Sequence, residues 1–541
     1  MWSNCVSRAS VRNKFILSSP STQLVFSAIV SGLVYLVVFA IPFPLIRLYD
    51  TIPPVDYTKL TNYSQSGFLA YVFGISALFG FYFWAIRLAH PADPQYRTHW
   101  LGRRSTTAAR FILLSSSFFG LILVFSYPLT AIDLFIYAIR TRGWALYDLP
   151  PLSTPPETLP TSDPWLGLAG EWIDAASPYG PLWEQLSLGA FYLSDGNFLD
   201  HLVTLKIISL LAYLGCGWLI YQTLRDHQPR WALTGTLAFA WNPLILFESV
   251  QNAHNDIVML FFLLAATWLF GQKFKEGRTQ LNPLLINLLV CCFLAFSVLI
   301  KFVTVMVVPF YLLALVSDQS TWRRRISMLI LYGLTVVMII LVSMAPVWPG
   351  WENWAVLTAG SGAGRSLTAL VILGLRDMIG TNLAFDLTRS VILGSFAIIY
   401  VYYLWQTFVQ LQQSSSASPA SLFMPASLRL AISPAFFVLF WYVLTAVPVF
   451  HGWYILWFFP LAVFLFPQQR PLMASVIFSV TALLIIPYFE TIRVWYPLLL
   501  RNHFLGHLLG VPLLIVPPAL TLLRRTSSTT NSEVSSVKRE T

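Results

Sequence analysis

The residues best suited to chemistry lie in one polar stretch, from Ser126 to Glu184, between two apolar segments. It reads SYPLTAIDLFIYAIRTRGW, continues through a proline-rich connection and ends in EWIDAASPYGPLWE. The stretch holds a large share of the chain's 23 acidic residues: Asp133, Asp148, Glu157, Asp163, Glu171, Asp174 and Glu184. We therefore expect this stretch to carry the chemistry and the apolar segments around it to position it.

Asp133 is the first catalytic candidate, in the sequence LTAIDLFIYAIR. A carboxylate at a membrane boundary is desolvated on one side, which strengthens it as a base and suits it to take a proton from an acceptor hydroxyl. Tyr137 and Arg140 follow at i+4 and i+7, so on a helix all three side chains share one face, and we expect Tyr137 and Arg140 to bind substrate. The alternative is an ordinary acid at a helix end that forms a salt bridge with Arg140.

A second polar group interrupts the apolar sequence WNPLILFESVQNAHNDIVML. Ionisable groups at membrane depth are costly and point to a function. We expect four of its side chains to bind sugar hydroxyls or to assist a base: Asn252, His254, Asn255 and Asp256. A plain connecting turn is the alternative, and the spacing of His254 and Asp256 is too sparse to predict a metal site.

Two cations are candidates for binding a phosphate group. Lys301 interrupts the apolar run VLIKFVTVMVVPF, and Arg365 lies in the glycine-rich sequence AGSGAGRS. Both side chains can form charge-assisted hydrogen bonds with a lipid phosphate. The alternative for Lys301 is that its ammonium group extends to the membrane interface.

The composition predicts the elements that must position these groups. The 541 residues are 57% hydrophobic and 10% charged, with a mean hydropathy of +0.68, whereas a soluble protein carries about a quarter charged residues. Apolar runs recur along the chain, are long enough to cross a bilayer, and do not alternate as β-barrel strands do. We predict an all-α polytopic membrane protein with about 12–14 transmembrane helices. The spans fall near 24–46, 67–88, 109–131, 198–222, 231–249, 256–271, 283–300, 302–317, 326–346, 387–409, 429–449, 452–466, 471–488 and 507–523.

Basic loops predict the orientation in the cytoplasmic membrane. Most Lys and Arg residues fall on one side if both termini are cytoplasmic, so the net charge of +10 needs no nucleic-acid partner. On this topology residues 1–23 form a cytoplasmic tail, 24–523 the transmembrane domain and 524–541 a disordered cytoplasmic tail. The outer loop 132–197, the turns QNAHND and HGWY, Lys301 and Arg365 all share the extracytoplasmic face.

The outer loop has two distinguishable parts. Residues 146–165 contain too many prolines for a helix, and we expect extended surface chain whose acids, Asp148, Glu157 and Asp163, are solvated. Residues 182–194 have apolar side chains at helical spacing and predict an amphipathic helix. The many Trp and Tyr residues of the loop suit either sugar stacking or an interfacial belt.

The order of AIDLFIYAIRTRGW, SPYGPLWEQ, WNPLILFESVQNAHNDIVM and the run with Lys301 resembles the GT-C membrane glycosyltransferases. It is most similar to the bacterial polyprenyl-phosphomannose-dependent α-mannosyltransferases. In many GT-C enzymes the catalytic loop follows the first helix and carries paired acids. Here the loop follows the third predicted span and Leu134 follows Asp133, so a second acid would come from Glu171 or Asp256.

The resemblance implies transfer of a hexose, most simply mannose, from a polyprenyl-phosphate donor to a glycan or glycolipid acceptor. Asp133 would be the base of an inverting reaction, Lys301 or Arg365 would hold the donor phosphate, and Tyr179 and Trp183 would line the cavity. No cofactor or divalent metal is expected, and the oligomeric state stays open. Two alternatives are a transporter or flippase, for which we expect an internal repeat that the sequence does not show, and a polymerase that uses a lipid diphosphate donor, for which we expect more external arginine.

Overall fold

The structure is a computed structural model that describes residues 20–92, 104–274, 282–350, 364–413 and 424–524. Within these ranges every regular element is a helix, and β-pairing is limited to two isolated bridges, Pro44–Ser126 and Gly364–Val449. The predicted all-α class is therefore confirmed. The predicted disordered tail after Arg524, and most of the predicted N-terminal tail, lie outside the described residues.

The described helices include ten that are long and apolar enough to cross a membrane: Ser21–Ala40, Gln65–Leu88, Ser105–Val124, Phe198–His227, Pro283–Ile300, Trp322–Val347, Thr381–Gln413, Ala426–Ala446, Gln469–Trp495 and His503–Leu523. An eleventh span is possible if Pro243–Gln251 and Asp256–Gln272, which meet at an angle of 113°, are counted together. With the composition, these helices make the chain an integral multi-pass membrane protein.

The helix count in these ranges is below the 12–14 expected, because several predicted spans are broken. The predicted span 302–317 is a 3₁₀-helix, Phe302–Met306, followed by a short α-helix, Val308–Leu315. The predicted span 452–466 is likewise a 3₁₀-helix, Gly452–Trp457, followed by Phe459–Val463. A proline lies in the first turn of each second helix, where it is tolerated, and hydropathy alone does not reveal such a break.

The α-helices are numbered in chain order: α1 (Pro20–Val34), α2 (Leu45–Leu48), α3 (Tyr57–Leu60), α4 (Gln65–Leu88), α5 (Arg104–Val124), α6 (Asp133–Tyr147), α7 (Pro181–Leu193), α8 (Phe198–His227), α9 (Ala232–Ala240), α10 (Pro243–Leu246), α11 (Asp256–Gln272), α12 (Pro283–Ile300), α13 (Val308–Leu315), α14 (Trp322–Met344), α15 (Leu367–Ile379), α16 (Thr381–Gln413), α17 (Ala426–Trp441), α18 (Phe459–Val463), α19 (Gln469–Pro487), α20 (Arg493–Trp495), α21 (Pro497–Arg501) and α22 (His503–Leu523). Four π-helices, Tyr35–Ala40, Phe247–Gln251, Tyr442–Ala446 and Tyr488–Ile492, continue or join them.

The core contains buried apolar residues of α8, α9, α11, α12, α17 and α19; within it α8 packs against α9 and α11, and α11 packs against α12. About two thirds of the most apolar segment of the span Ala426–Ala446 is buried, whereas only 11% is buried in the spans that contain α14 and α16. Those two helices expose large apolar side chains such as Leu341 and Val401. Apolar side chains on the outside of a membrane bundle contact lipid, so α14 and α16 are peripheral.

The outer loop follows the predicted pattern. Its first part is helix α6 and its last part is α7, which matches the helix predicted over 182–194. The chain between them contains only short 3₁₀-helices, Pro156–Thr158, Leu166–Leu168 and Gly170–Trp172. One expectation for this segment is wrong. Asp163 is buried rather than solvated, because Arg142 Nε, the Tyr147 hydroxyl and the amide of Trp165 all donate hydrogen bonds to its carboxylate.

Candidate active site

Asp133 is the first residue of α6 and follows the third long helix of the described chain. Its side chain is almost completely buried, with 7% exposed. The hydroxyl of Tyr179, from the SPYGPLW sequence, donates a long hydrogen bond of 3.5 Å to Asp133 Oδ1. Burial, and then the charge of Asp133, raise the pKa of Tyr179 well above its usual value. The Tyr179 hydroxyl therefore stays protonated and acts as the donor.

A buried lysine fixes the chain that leads to Asp133. Lys206, on α8, is fully buried and its Nζ donates to the carbonyl oxygens of Leu123 and Ser126. A cation at the C-terminus of a helix satisfies carbonyl groups that have no intrahelical partner, here at the end of α5. Ser126 is held further by Gln251 Nε2, which donates to its hydroxyl at 2.8 Å. The sequence signal for this contact is a single lysine within an apolar helix, and the prediction of the membrane spans did not use it.

The QNAHND turn closes on the buried carboxylate of Glu248, which belongs to the same polar group of the sequence. The π-helix Phe247–Gln251 ends there, and Asn252 Nδ2 donates to Glu248 Oε2 at 2.9 Å. Thr130, three residues before Asp133, donates to Glu248 Oε1 at 3.2 Å. His254 Nε2 lies 3.2 Å from Glu248 Oε2, at an angle that does not make a hydrogen bond. Glu248 thus links this turn to the chain in front of Asp133.

Asn255 is notable because it is fully buried while neither atom of its amide has a hydrogen-bond partner among the described residues. Burying an amide without partners costs about 1–3 kcal/mol or more, so such groups need an explanation. Asn255 lies directly between His254 and Asp256. An unsatisfied amide at that point can bind a hydroxyl group of a ligand.

Lys301 lies at the break between α12 and the following 3₁₀-helix, as predicted. Its Nζ is 2.9 Å and 2.8 Å from the two carboxylate oxygens of Asp256, which is fully buried, and the indole N–H of Trp457 also donates to Asp256. Lys301 is therefore held in an ion pair with Asp256. Its side chain keeps 14% of its surface exposed.

Three aromatic rings surround the ammonium group of Lys301. Nζ lies 5.4 Å from the ring centre of Tyr179, 5.9 Å from that of Tyr454 and 5.6 Å from that of Trp457. Cation–π contacts at such distances stabilise a partly desolvated cation. Tyr179 therefore contacts Asp133 through its hydroxyl and Lys301 through its ring. This side chain brings two sequence-predicted groups, 168 positions apart in the chain, into one site.

The HGWY turn covers the QNAHND turn. The imidazole of His254 stacks on the indole of Trp453 at 3.9 Å, and the ring of His451 stacks on the same indole at 4.1 Å. A Cβ atom on Gly452 would lie 3.0 Å from Glu248 Oε1, so a larger residue here would press on that carboxylate. The sequence placed both turns on one face, and the structure brings them into contact.

Arg365 is held near the HGWY turn by the residue that precedes it, Gly364. Gly364 forms a β-bridge with Val449, and the guanidinium group of Arg365 pairs with Glu490. Burial lowers the pKa of His451 well below its usual value, and the positive charges of Arg365 and Lys301 lower it further. Both cations are thus within electrostatic range of one ring. Most of the glycine-rich sequence before Arg365, residues 359–363, lies outside the described residues.

Four further predicted site residues are Tyr137, Trp183, Glu171 and Arg140. Tyr137 and Trp183 are buried, and the Tyr137 ring lies 5.2 Å from Tyr179 and 5.1 Å from Trp183. They pack behind Tyr179, so a direct role for them in binding sugar stays a prediction. Glu171 lies in the 3₁₀-helix Gly170–Trp172, and its side chain is outside the described part of the structure. Arg140 does not form the salt bridge considered for Asp133, since its Nη2 donates to the carbonyl groups of Ala175 and Ala176.

Comparison with known proteins identifies the family. Residues 40–317, just over half of the chain, match the family model described as alpha-(1→6)-mannopyranosyltransferase, N-terminal domain. The chain belongs to this family. The predicted resemblance to membrane mannosyltransferases is thereby confirmed. The match spans Asp133, the QNAHND turn and Lys301, while Arg365 and the HGWY turn lie beyond it.

Two individual proteins are similar to this chain. The alpha-(1→6)-mannopyranosyltransferase B of Corynebacterium glutamicum is 25% identical over 143 residues, which are 25% of this chain and 23% of that protein. The archaeal oligosaccharyltransferase AglB from Archaeoglobus fulgidus, solved in complex with an inhibitory peptide and a dolichol-phosphate, aligns at a TM-score of 0.37 and 12% identity. That alignment covers 81% of this chain and 58% of the archaeal one.

Glu184, a third buried carboxylate of the outer loop, leads to a prediction about pH. It lies in the first turn of α7, outside the candidate spans, and burial raises its pKa to about 6 from 4.5, while hydrogen bonding from Ser177 and the charge of Arg140 oppose the shift. A carboxyl whose pKa is higher in the folded state stabilises the protein fully below about pH 4.5 and loses that contribution as pH rises through about 6.

Replacement Glu184→Gln is therefore expected to raise the unfolding temperature at pH 7.5 and to flatten its dependence on pH. The difference in free energy is on the order of 2 kcal/mol at pH 7.5 and disappears near pH 4.5. Thermal unfolding of the purified protein in detergent between pH 5 and 7.5 measures it. Equal pH dependence in the variant and the wild type would contradict the assignment.

Proposed function

We propose that the chain is a membrane mannosyltransferase that moves mannose from a polyprenyl-phosphate donor to a hydroxyl group of a glycan or glycolipid acceptor. The observation that carries this proposal is the contact of Tyr179 with both Asp133, at 3.5 Å, and Lys301, at 5.4 Å. A base and a cation that contact the same tyrosine suit a reaction in which a hydroxyl attacks and a phosphate leaves. Membership of the mannopyranosyltransferase family supports the choice of sugar.

In the proposed reaction Asp133 accepts the proton of the acceptor hydroxyl. The oxygen of that hydroxyl group attacks the anomeric carbon of the donor at the same time. The bond between that carbon and the phosphate oxygen breaks, and polyprenyl phosphate leaves with both bonding electrons. Attack from the opposite side inverts the configuration, so a β-linked donor gives an α-linked product. A proton-accepting carboxylate in such a step contributes about 10²–10⁴-fold to the rate.

Lys301 is the proposed partner of the leaving phosphate, with Arg365 as a second cation. The ammonium group has three hydrogens, and contacts with the two oxygens of Asp256 leave one for a phosphate oxygen. Positive charge at a leaving phosphate stabilises the transition state because negative charge develops there. No metal or other cofactor is part of the proposal.

The QNAHND turn is the proposed sugar-binding element. The unpartnered amide of Asn255 offers a donor and an acceptor, and Asn252 and His254 line the same turn. Asp256 orients Lys301 and so connects the sugar and phosphate sites. By the positive-inside rule, we propose that this site faces the extracytoplasmic side and that both termini are cytoplasmic.

A donor screen tests the proposal. Purified protein is incubated with polyprenyl phosphates that carry mannose, glucose or galactose, together with an α-mannoside acceptor, and released polyprenyl phosphate and new glycan are measured. We expect product only from the mannosyl donor. Since the corynebacterial relative is named an alpha-(1→6)-mannopyranosyltransferase, the 1→6 linkage is the first to check. Transport of a lipid-linked sugar across vesicles without bond cleavage would overturn the proposal.

A further inference from the structure

One segment of the outer loop contacts both proposed reacting groups. Residues 175–180, with the sequence AASPYG, precede α7 and contain Tyr179. We call this segment the strap. It has no regular secondary structure, so its shape depends on contacts with other elements. Those contacts come from α6, which carries Asp133, from Pro151 and α7, and from the end of α12, which precedes Lys301.

Arg140 holds the beginning of the strap. It is 4% exposed, lies on α6 two turns after Asp133, and its Nη2 donates to the carbonyl oxygens of Ala175 at 2.8 Å and Ala176 at 3.2 Å. A charged donor shared between two carbonyl groups makes stronger hydrogen bonds than a neutral one. Because a short helix is rigid, Arg140 fixes the strap relative to Asp133.

Ser177 and Glu184 hold the middle of the strap. The amide of Ser177 donates to Pro151 O at 2.7 Å, and its hydroxyl donates to the buried carboxyl group of Glu184. The amide of Tyr179 in turn donates to the Ser177 hydroxyl at 3.3 Å. These bonds fix the backbone of the strap on both sides of Pro178.

Gly180 fixes the end of the strap to the chain before Lys301. Its amide donates to Ile300 O at 3.0 Å. A Cβ atom at this position would lie only 2.0 Å from the carbonyl oxygen of Leu299, so no other residue allows this approach without displacement. The strap is thus anchored by backbone contacts next to Lys301 and by a guanidinium group next to Asp133.

We propose that the strap is a positioning element that sets the spacing between Asp133 and Lys301, and that Arg140 acts on the reaction through it rather than by contacting sugar. This inference rests on the proposed function, since it gives those two groups their roles. It also changes the role expected for Arg140 from the sequence, where the helix face suggested a substrate contact. Arg140 and Gly180 are positioning residues, while Tyr179 is the strap side chain that contacts the site.

The variant Arg140→Lys tests the inference, because it keeps the charge but shortens the side chain and removes Nη2, the nitrogen that donates to both carbonyls. We expect kcat to fall by about 10- to 100-fold, the loss typical of reacting groups displaced by up to 1 Å, while KM for the donor changes less than threefold. Hydrogen exchange of peptides that cover residues 173–182 should rise at the same time. Ser177→Ala is a milder second variant, and Gly180→Ala displaces the strap from its other end.

Arg142→Lys is the matched control, since Arg142 lies on the same helix but pairs with Asp163 and does not contact the strap. It should keep kcat within twofold. Unchanged exchange in the strap of Arg140→Lys and Ser177→Ala would overturn the inference, and so would faster exchange with normal kcat. A lower kcat in Arg140→Lys without faster exchange would show that Arg140 contacts substrate directly. If the wild type transferred no sugar, the proposed function would fail, and the exchange measurement would still decide whether Arg140 holds the strap.

Discussion

Asp133→Asn is expected to lower the rate of mannosyl transfer by about 10²–10⁴-fold, the usual contribution of a general base. Asparagine has nearly the same shape as aspartate but cannot take up the proton of the attacking hydroxyl. Its amide oxygen can still accept the hydrogen bond that Tyr179 donates to Asp133. Asp133 is the first residue of α6, so its replacement by asparagine should leave the helix and its packing in place. Release of polyprenyl phosphate in a single-turnover assay measures the loss.

Asp163→Asn is the matched control for this variant. Asp163 is another buried aspartate of the outer loop, but its partners are Arg142 and Tyr147 rather than Tyr179. We expect this control to lower the unfolding temperature, because a buried ion pair is lost, while the folded fraction keeps a normal kcat. If Asp133→Asn kept more than a tenth of the wild-type rate, Asp133 would not be the base.

Much of the fold could be predicted from the sequence, because hydropathy and helical periodicity are local properties. Helix α7 and the break at Lys301 agree with their predicted positions. The described residues contain fewer helices of spanning length than predicted, because an apolar run with a proline in it can form one helix or two short ones. Tertiary packing decides between one helix and two short ones, and hydropathy averaged over a window contains no information about that packing.

The site was predictable to the extent that its residues break an otherwise apolar pattern. Asp133, the QNAHND turn and Lys301 all do so, and the structure connects them through Tyr179 and Glu248. The pairing of Lys301 with Asp256 joins two helices and could not be read from spacing. The same limit explains why the burial of Asp163 was not predicted. Its proline-rich surroundings suggested a solvated carboxylate, whereas Arg142 and Tyr147 form hydrogen bonds with it in a buried position.

Lys301→Met is expected to have two separable effects, one on stability and one on binding. Removing the cation leaves the Asp256 carboxylate buried without its partner at 2.8 Å, which costs about 3–5 kcal/mol of stability. Loss of the charge-assisted hydrogen bond to phosphate should weaken binding of polyprenyl phosphate by about 10- to 100-fold. Polyprenyl phosphate without sugar is the right probe, because it isolates the phosphate contact from contacts made by the QNAHND turn.

The double variant Lys301→Met/Asp256→Asn separates these effects, since it removes both charges of the buried pair. The unfolding temperature should recover toward that of the wild type, whereas the affinity for polyprenyl phosphate should stay low. Lys301→Arg keeps a cation and should retain most of the affinity. Lys273→Met breaks an ion pair with Asp318 on the side predicted to be cytoplasmic, and it should leave binding unchanged. If affinity recovered together with stability in the double variant, Lys301 would serve the fold alone, and Arg365 would become the first candidate for the phosphate.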